Sequence, residues 1–453
     1  MKSLLLVLSG MVATAAMAAP SVTIKSVSQD PDSRAVKVCY SLADGPAVVT
    51  ASDVTVDGVS IGAEHFRTTW GDINRKVSQP AEGDLTFWWS VDRDWPDHDV
   101  EAGKLAVALK AWPQGDGPDW LLVNLHCEGD NKYFENEAQL PFGPSTQEVY
   151  KTERLLLKMV RPKGVEWLMG SPEGEFGRDA ESSRLSEEYG NANLVGKETL
   201  HRVRLTKNYY LGVYFLTMGQ YENVMATGYG SQETWGSEAG SVLNVCRPGW
   251  WGPEYVGWIT TYKMRPIEYV SYNTLTTPTD ALPQLSFFKN LENFSGLSFT
   301  LPTEAEWEFA CRAGTTSGLY TGRECVEPAG SCAHVGAIAR YKRNGGCDQY
   351  GNERGRNKYY DANNVSPWAG RQTPNDWGFY DFCGGVWEMC RDAYVRDLGS
   401  APAVDPVTTS GSAVAVRGGA YNEEAGFCRS ASRAGLAKDA AYRAAGFRVC
   451  LEL

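Results

Sequence analysis

Histidine is scarce in this chain, which has five histidines among 453 residues. The sequence contains neither a His-Glu-x-x-His segment nor a Cys-x-x-Cys pair. These spacings are typical of residues that bind a catalytic or structural zinc ion. A catalytic zinc or iron site therefore has little support.

Clusters of basic residues and long apolar segments are also missing. Lys and Arg number 43 against 55 Asp and Glu, which gives a net charge of −12. Because nucleic-acid binding depends on clustered Lys and Arg that release counterions, the sequence predicts no nucleic-acid partner. Beyond the N-terminus, no segment is apolar enough to predict a membrane span.

The first 18 residues have the features of a signal peptide. Lys2 supplies a positive charge, residues 4–15 form an apolar run, and Ala16-Met17-Ala18 has the small-x-small pattern of a cleavage site. The apolar run is shorter than the ~20 residues that a spanning helix needs. We therefore expect an exported protein, periplasmic or extracellular. Its 11 cysteines are then expected to be disulfide partners, with at least one left over because the number is odd.

The length of the chain favours two domains. Residues 19–113 alternate β-branched or aromatic runs with Gly, Asp and Pro, and Asp57-Gly58 is a tight-turn signal. This pattern predicts an immunoglobulin-like β-sandwich. Residues 114–150 are expected to form one extra strand, from Trp120 to Leu125, and a polar linker from Glu128 to Gln147. The strands predicted for the sandwich are Val22–Ile24, Ala35–Tyr40, Val48–Thr50, Val54–Val56, Leu85–Trp89 and Leu105–Leu109.

After residue 151, four blocks of sequence follow one another in a characteristic order. They resemble the formylglycine-generating enzyme (sulfatase-modifying factor) family, and the third block, LPTEAEWEFACRAG, is highly specific. The resemblance covers residues 151–453 and implies that family's variant of the C-type-lectin-like fold, an α+β domain. The blocks begin at Met169, Arg265, Leu301 and Trp377, and the last continues through Val386–Glu388, Arg417–Tyr421, Cys428–Ala431 and Gly446–Arg448.

The third block also predicts a helix from its residues alone. Thr303 followed by Glu306 forms a capping box that opens a helix at Glu304. The helix should end near Arg312, where Gly314 supplies a left-handed stop. Trp307 and Cys311 lie on one face of this helix and are expected to face inward.

The resemblance implies where catalytic residues would lie. Active members hold copper with two cysteines, five residues apart, after a Gly-Gly-Ser-Tyr segment, and oxidise a substrate cysteine to formylglycine. Here Ala420 replaces the serine and Glu423 stands at the position of the first cysteine. By strict spacing Cys428 is the second cysteine. On another alignment it is a structural cysteine that forms a disulfide with Cys311. Either way, one thiol cannot make the pair that selects Cu(I), so copper is not expected.

A calcium site is implied by the family's Gly-Asn-Val-Trp-Glu segment. Here Gly385 replaces the Asn and Glu388 remains. Because calcium needs about 6–8 oxygen ligands, two interpretations stay open for Glu388: a ligand in a weakened calcium site, or a structural hydrogen-bond acceptor.

An aromatic insertion from Gly228 to Met264 separates two of the family blocks. It contains Trp235, Trp250, Trp251 and Tyr255 among glycines. Exposed aromatics of this kind would stack on sugars or peptides. In the alternative interpretation, the loop buries its own tryptophans.

The sequence leaves two functional hypotheses. The first is an exported, non-catalytic module that binds or interacts with a protein or carbohydrate ligand. The second is a formylglycine-generating oxidase that matures sulfatases. The missing cysteine pair favours the first.

Overall fold

The computed structural model describes residues 18–98, 100–178, 180, 182–225, 263–277, 286–346 and 367–453. The chain forms two compact units, Met1–Gly117 and Pro118–Leu453. Short strands predominate in both, and the longest helices in the described ranges have nine residues. This confirms the predicted α+β class.

The N-terminal unit consists of two facing sheets. One sheet has the strand order β1-β2-β7-β5; in the other, β3 lies between β4 and β6 and also pairs with β8. Alternate residues of β2 are buried, and they share one apolar core with residues of β3, β7 and β8. The elements are β1 Ser21–Gln29, β2 Val36–Ala43, β3 Ala47–Val56, β4 Val59–Ser60, β5 Thr69–Gly71, β6 Arg75–Val77, β7 Leu85–Trp89, α1 Val91–Asp94 and β8 Leu105–Trp112.

The predicted turn at Asp57-Gly58 joins β3 to β4. Both residues have positive φ angles, 49° and 79°, as a two-residue hairpin turn requires. Two of the predicted strands, Val48–Thr50 and Val54–Val56, merge into the single strand β3. The sequence did not indicate β4, β5 and β6, which have only two or three residues each. The immunoglobulin-like topology stays a prediction.

The described residues of the C-terminal unit form three sheets. Their strand orders are β10-β9-β11-β14-β20, β12-β13-β16 and β18-β17-β15-β19. The strands are β9 Trp120–Asn124, β10 Asn131–Phe134, β11 Arg154–Val160, β12 Glu166–Met169, β13 His201–Arg204, β14 Tyr209–Gly212, β15 Trp387–Ala393, β16 Ala403–Val404, β17 Ala413–Arg417, β18 Arg433–Ala437, β19 Ala445–Phe447 and β20 Cys450–Glu452. The α-helices are α2 Arg184–Glu188, α3 Met218–Met225, α4 Tyr272–Thr276, α5 Phe287–Ser295, α6 Glu304–Arg312 and α7 Ala333–Gly336.

The predicted linker is instead part of the C-terminal unit. Strand β9, expected as an extra strand, lies between β10 and β11. Within residues 128–147, β10 pairs with β9, and Asn131 Nδ2 donates to the Ser295 carbonyl at 2.6 Å. Asn136 and Gln139 form a reciprocal cap on a 3₁₀ turn. The polar residues that suggested a solvated linker satisfy backbone groups here.

Helix α6 has the bounds that the sequence predicts. The Thr303 hydroxyl accepts from the Glu306 amide at 3.1 Å, and Glu306 closes the capping box. The chain leaves the helix through two left-handed residues, Ala313 and Gly314. Trp307 and Cys311 are fully buried as expected, and every other residue of the helix is buried too, including three glutamates.

No helix in the described ranges is long and apolar enough to cross a membrane. All but the last residue of the predicted signal peptide lies outside the described residues.

Candidate functional site

The segment that corresponds to the family's catalytic region begins where β17 ends. Gly418 has a φ of 92°, and a Cβ atom on it would lie 2.3 Å from the Phe382 carbonyl oxygen. The Gly384 amide donates to the Gly418 carbonyl at 2.7 Å. Only glycine permits this approach. The tight turn places Ala420 in the core with no solvent exposure, where its methyl group offers no hydroxyl for chemistry.

Glu423, at the position of the first catalytic cysteine, is 1% exposed. Its Oε2 accepts from the Arg184 amide at 2.8 Å, and Oε1 accepts from the Leu185 amide and the Trp387 indole, both at 3.1 Å. The two amides belong to the first turn of α2, whose N–H groups need acceptors. Burial raises the pKa of Glu423, and these hydrogen bonds oppose the rise. Glu423 thus caps the start of α2.

The segment around Glu423 is covered by residues from a second part of the chain. The Lys342 amide donates to the Glu423 carbonyl at 2.9 Å. The Lys342 ammonium and Arg343 guanidinium pair with Glu424 at 2.8 and 3.1 Å. The Gly426 amide donates to the Pro328 carbonyl at 2.8 Å. These contacts hold residues 328–343 against the segment from Glu423 to Gly426.

Cys428 is a fully buried free thiol. Burial raises its pKa well above the usual thiol range, which keeps it protonated and unreactive. The nearby carboxyl of Glu423 acts in the same direction. With Glu423 at the first position, the residues present do not fit a two-thiolate copper site.

The structure has Cys311 and Cys428 as buried free thiols, and the disulfide between them stays a prediction. The Cys311 Sγ lies 3.6 Å from the Ser430 hydroxyl, and Cys311 is close enough to Cys383 to raise the pKa of the Cys383 thiol. Cys325 and Cys332 likewise lie close enough to shift each other's pKa.

Glu388, the predicted calcium ligand, already has partners for both oxygens. Arg448 donates to Oε1 at 2.8 Å and to Oε2 at 3.0 Å, and the Trp307 indole donates to Oε2 at 2.7 Å. Among the described residues, no group of three or more His, Cys, Asp or Glu could hold a metal ion. These contacts match the second interpretation of Glu388, a structural hydrogen-bond acceptor, and the calcium site stays a prediction.

Buried ion pairs between arginine and glutamate flank the segment from Gly418 to Cys428. Glu304 of α6 pairs with Arg433 at 2.6 Å and with Arg417 at 3.1 Å, and Arg417 also bonds to Glu308. Burial opposes ionisation of Glu304, but Arg433 and Arg417 outweigh it, so the pKa of Glu304 is lowered. Arg429 pairs with Glu175 and Glu198 at 2.5 and 2.6 Å.

The four aromatic residues proposed as ligand contacts, Trp235, Trp250, Trp251 and Tyr255, lie outside the described residues.

The family model of the sulfatase-modifying factor enzyme 1-like domain matches residues 157–453. The chain belongs to the sulfatase-modifying factor family. It is 26% identical to the formylglycine-generating enzyme of Streptomyces coelicolor over 317 residues, covering 64% of this chain and 90% of the relative. Identity to the Thermomonospora curvata enzyme is 28%, covering 45% and 62%. Identity to the Mus musculus enzyme is 29%, covering 33% and 38%.

Two solved structures are also similar to this sulfatase-modifying factor family member. PvdO from Pseudomonas aeruginosa is 22% identical, with a TM-score of 0.47, and covers 66% of this chain and 95% of its own. Treponema denticola variable protein 1 is 20% identical, with a TM-score of 0.42 and the same coverage.

Asp381 is a buried acid that the sequence analysis did not single out. Its Oδ2 accepts from the Gly370 amide at 2.6 Å, and Oδ1 has no hydrogen-bond partner in the described part of the chain. Burial raises the pKa of Asp381 to about 7, although the Gly370 amide, Arg448 and Lys151 oppose the rise. Asp381 lies near the start of the fourth family block, which begins at Trp377, and this position was the one sign in the sequence that it has a role. The sequence did not show that its side chain is buried.

Asp381→Asn should flatten the pH dependence of stability. The folded pKa of about 7 exceeds the value of about 3.9 for an unfolded aspartate, so the native state binds the proton more tightly. The resulting stability is present below about pH 4 and is lost as the pH rises through 7. We expect the Tm of the wild type to fall more between pH 5 and 8 than that of the variant, whose side-chain amide oxygen can take the place of Oδ2 and accept from the Gly370 amide. Equal slopes in the two melting series would contradict this.

Oxidation of the purified protein should join Cys311 to Cys383 and Cys325 to Cys332, because in each pair one thiol is close enough to raise the pKa of the other and an oxidising compartment preserves buried disulfides. Mass spectrometry of a non-reducing digest is the measurement. A linked Cys311–Cys428 peptide pair would instead restore the pairing implied by the family resemblance.

Proposed function

We propose that this sulfatase-modifying factor family member is an exported, non-catalytic protein whose C-terminal unit serves as a binding or interaction module. The ligand class expected from the sequence is a protein or a carbohydrate. The N-terminal unit, which we infer to be immunoglobulin-like, would act as a spacer or adhesion module, because a β-sandwich by itself carries no chemistry.

The observation that carries the proposal is the environment of Glu423. A glutamate stands where the family's active members have a copper-binding cysteine, and it is buried with three hydrogen bonds to its carboxylate. An acceptor held this way stabilises α2 and is not available to a substrate. Long loops on a framework of buried ion pairs can vary without loss of the fold, which suits a binding role.

The alternative is a formylglycine-generating oxidase, the activity that the names of the relatives carry. It would require a second thiolate beside Cys428 and a path for the substrate peptide. The nearby carboxyl of Glu423 and the burial of Cys428 both raise the pKa of this thiol. Neither feature favours an oxidase.

The purified protein should convert no sulfatase-derived cysteine peptide to formylglycine, with or without Cu(I) and oxygen. Mass spectrometry of the peptide detects the aldehyde directly. The Streptomyces coelicolor enzyme, assayed in parallel with the same peptide, controls for substrate quality and copper loading. Aldehyde above the enzyme-free blank would refute the non-catalytic role.

A further inference from the structure

The N-terminal unit carries a pair of tryptophans on the face of its first sheet that points away from the core. Trp70 of β5 lies directly opposite Trp88 of β7 in the strand register, and the two rings are parallel within 6°, with their centroids 6.3 Å apart. The residues that alternate with Trp88 along β7, Phe87 and Trp89, point the other way into the apolar core. Trp70 is 47% exposed, although tryptophan is largely buried in most proteins.

Lys37 of β2 continues the row that the two tryptophans begin. It lies opposite Trp88, and its ammonium group is 5.5 Å from the centroid of the Trp88 ring, within the range of a cation–π contact. In the strand order, Trp88 therefore lies between Lys37 and Trp70. Cross-strand pairs of this kind stabilise a sheet, but that role leaves the exposed part of the Trp70 ring unused.

The rest of this face carries hydroxyl groups and little charge. Among the paired residues of its strands, Lys37 is the one charged side chain, and Lys25 lies at the bulge of β1. Asp72, which follows β5, has Oδ2 occupied by the Thr86 amide at 3.2 Å. The register of β1, β2 and β7 places six hydroxyl residues on the face: Ser21, Thr23, Ser26, Ser28, Ser41 and Thr86.

We propose that this face binds an uncharged polysaccharide, with one sugar ring stacked on Trp70 and sugar hydroxyls bonded to the Ser and Thr side chains. A sugar ring has apolar C–H faces and a rim of hydroxyls, and an aromatic ring beside hydroxyl side chains satisfies both. Small molecules bind in concave pockets, whereas an open sheet face suits a long chain that spans several rows of side chains.

The charge of the face selects an uncharged partner. The whole chain has a net charge of −12, yet the paired residues of this face include no carboxylate that would attract a cationic partner. They also include no cluster of cations for a polyanion, since the ammonium of Lys37 lies against Trp88. A hydroxyl-rich chain without charge is the complement that remains.

This inference goes beyond the proposed function, which gives the N-terminal unit only a spacer or adhesion role. The two fail in different experiments. Formylglycine production would refute the non-catalytic role and leave polysaccharide binding by the N-terminal unit intact. Loss of polysaccharide binding would leave the environment of Glu423 as it is.

The test is affinity electrophoresis of the full chain, without the predicted signal peptide, in native gels that contain a soluble polysaccharide. Hydroxyethylcellulose, glucomannan and dextran are the uncharged probes, and carboxymethylcellulose is the anionic comparison. Trp70→Ala removes the exposed ring. Its matched control is Phe142→Ala, because Phe142 of the C-terminal unit is an aromatic residue with nearly the same exposure, 45%. Neither substitution changes the net charge, so mobilities without polysaccharide should be equal.

We expect at least one of the uncharged polysaccharides to slow the wild type and Phe142→Ala to the same extent. Trp70→Ala should bind about tenfold more weakly, a change of about 1.4 kcal/mol. Trp70→Tyr should recover part of the affinity because it restores an aromatic ring. Circular dichroism melting curves establish that all three variants are folded.

Three electrophoresis results would overturn the proposal: no retardation by any uncharged polysaccharide, retardation by carboxymethylcellulose alone, or equal affinity of Trp70→Ala and the wild type. Analytical ultracentrifugation without polysaccharide tests a second copy of the chain as the occupant. A wild-type dimer that Trp70→Ala dissociates would assign the face to that copy and would also overturn the proposal.

Discussion

Buried pairing between arginine and glutamate is the interaction on which the C-terminal unit depends. Glu304 and Glu308 of α6 bond to Arg417 at the end of β17, and Glu304 also bonds to Arg433 of β18. Desolvating such charges is costly, and removal of one partner typically destabilises a protein by about 3–5 kcal/mol because the other charge stays buried. Because the strands of this unit are short and its helices few, these ion pairs hold the loops in place against the core.

The region that holds the catalytic cysteines in active relatives is built into the same framework. Gly418 directly follows Arg417, so the ion pairs that fix Arg417 also fix the turn leading to Ala420 and Glu423. In this chain the turn ends in Glu423, whose carboxylate caps α2 and whose backbone carbonyl accepts from the Lys342 amide. The fold of the family is thereby retained without the residues that its oxidation chemistry needs.

Much of this arrangement was predictable from sequence, and the remainder depends on distant contacts. The capping box at Thr303 and Glu306 and the left-handed exit at Gly314 are local signals, and α6 has the predicted bounds. Burial of Glu304 and Glu308 was not predictable, because Arg417, which pairs with both, is more than 100 residues away. The predicted linker from Glu128 to Gln147 differs from the structure for a similar reason, because its polar residues form hydrogen bonds within the C-terminal unit. The disulfide between Cys311 and Cys428, which only the family resemblance implied, stays a prediction.

The central claim is that Glu423 has a structural role at a former catalytic position. Native-state hydrogen exchange of the Arg184 and Leu185 amides in Glu423→Ala tests it most directly. The matched control is Glu424→Ala, because the carboxylate of Glu424 is only half-buried. Our account predicts loss of protection at both amides and a free energy of unfolding lower by about 1–3 kcal/mol in Glu423→Ala, with a smaller change in the control. Unchanged protection and stability in Glu423→Ala would contradict it.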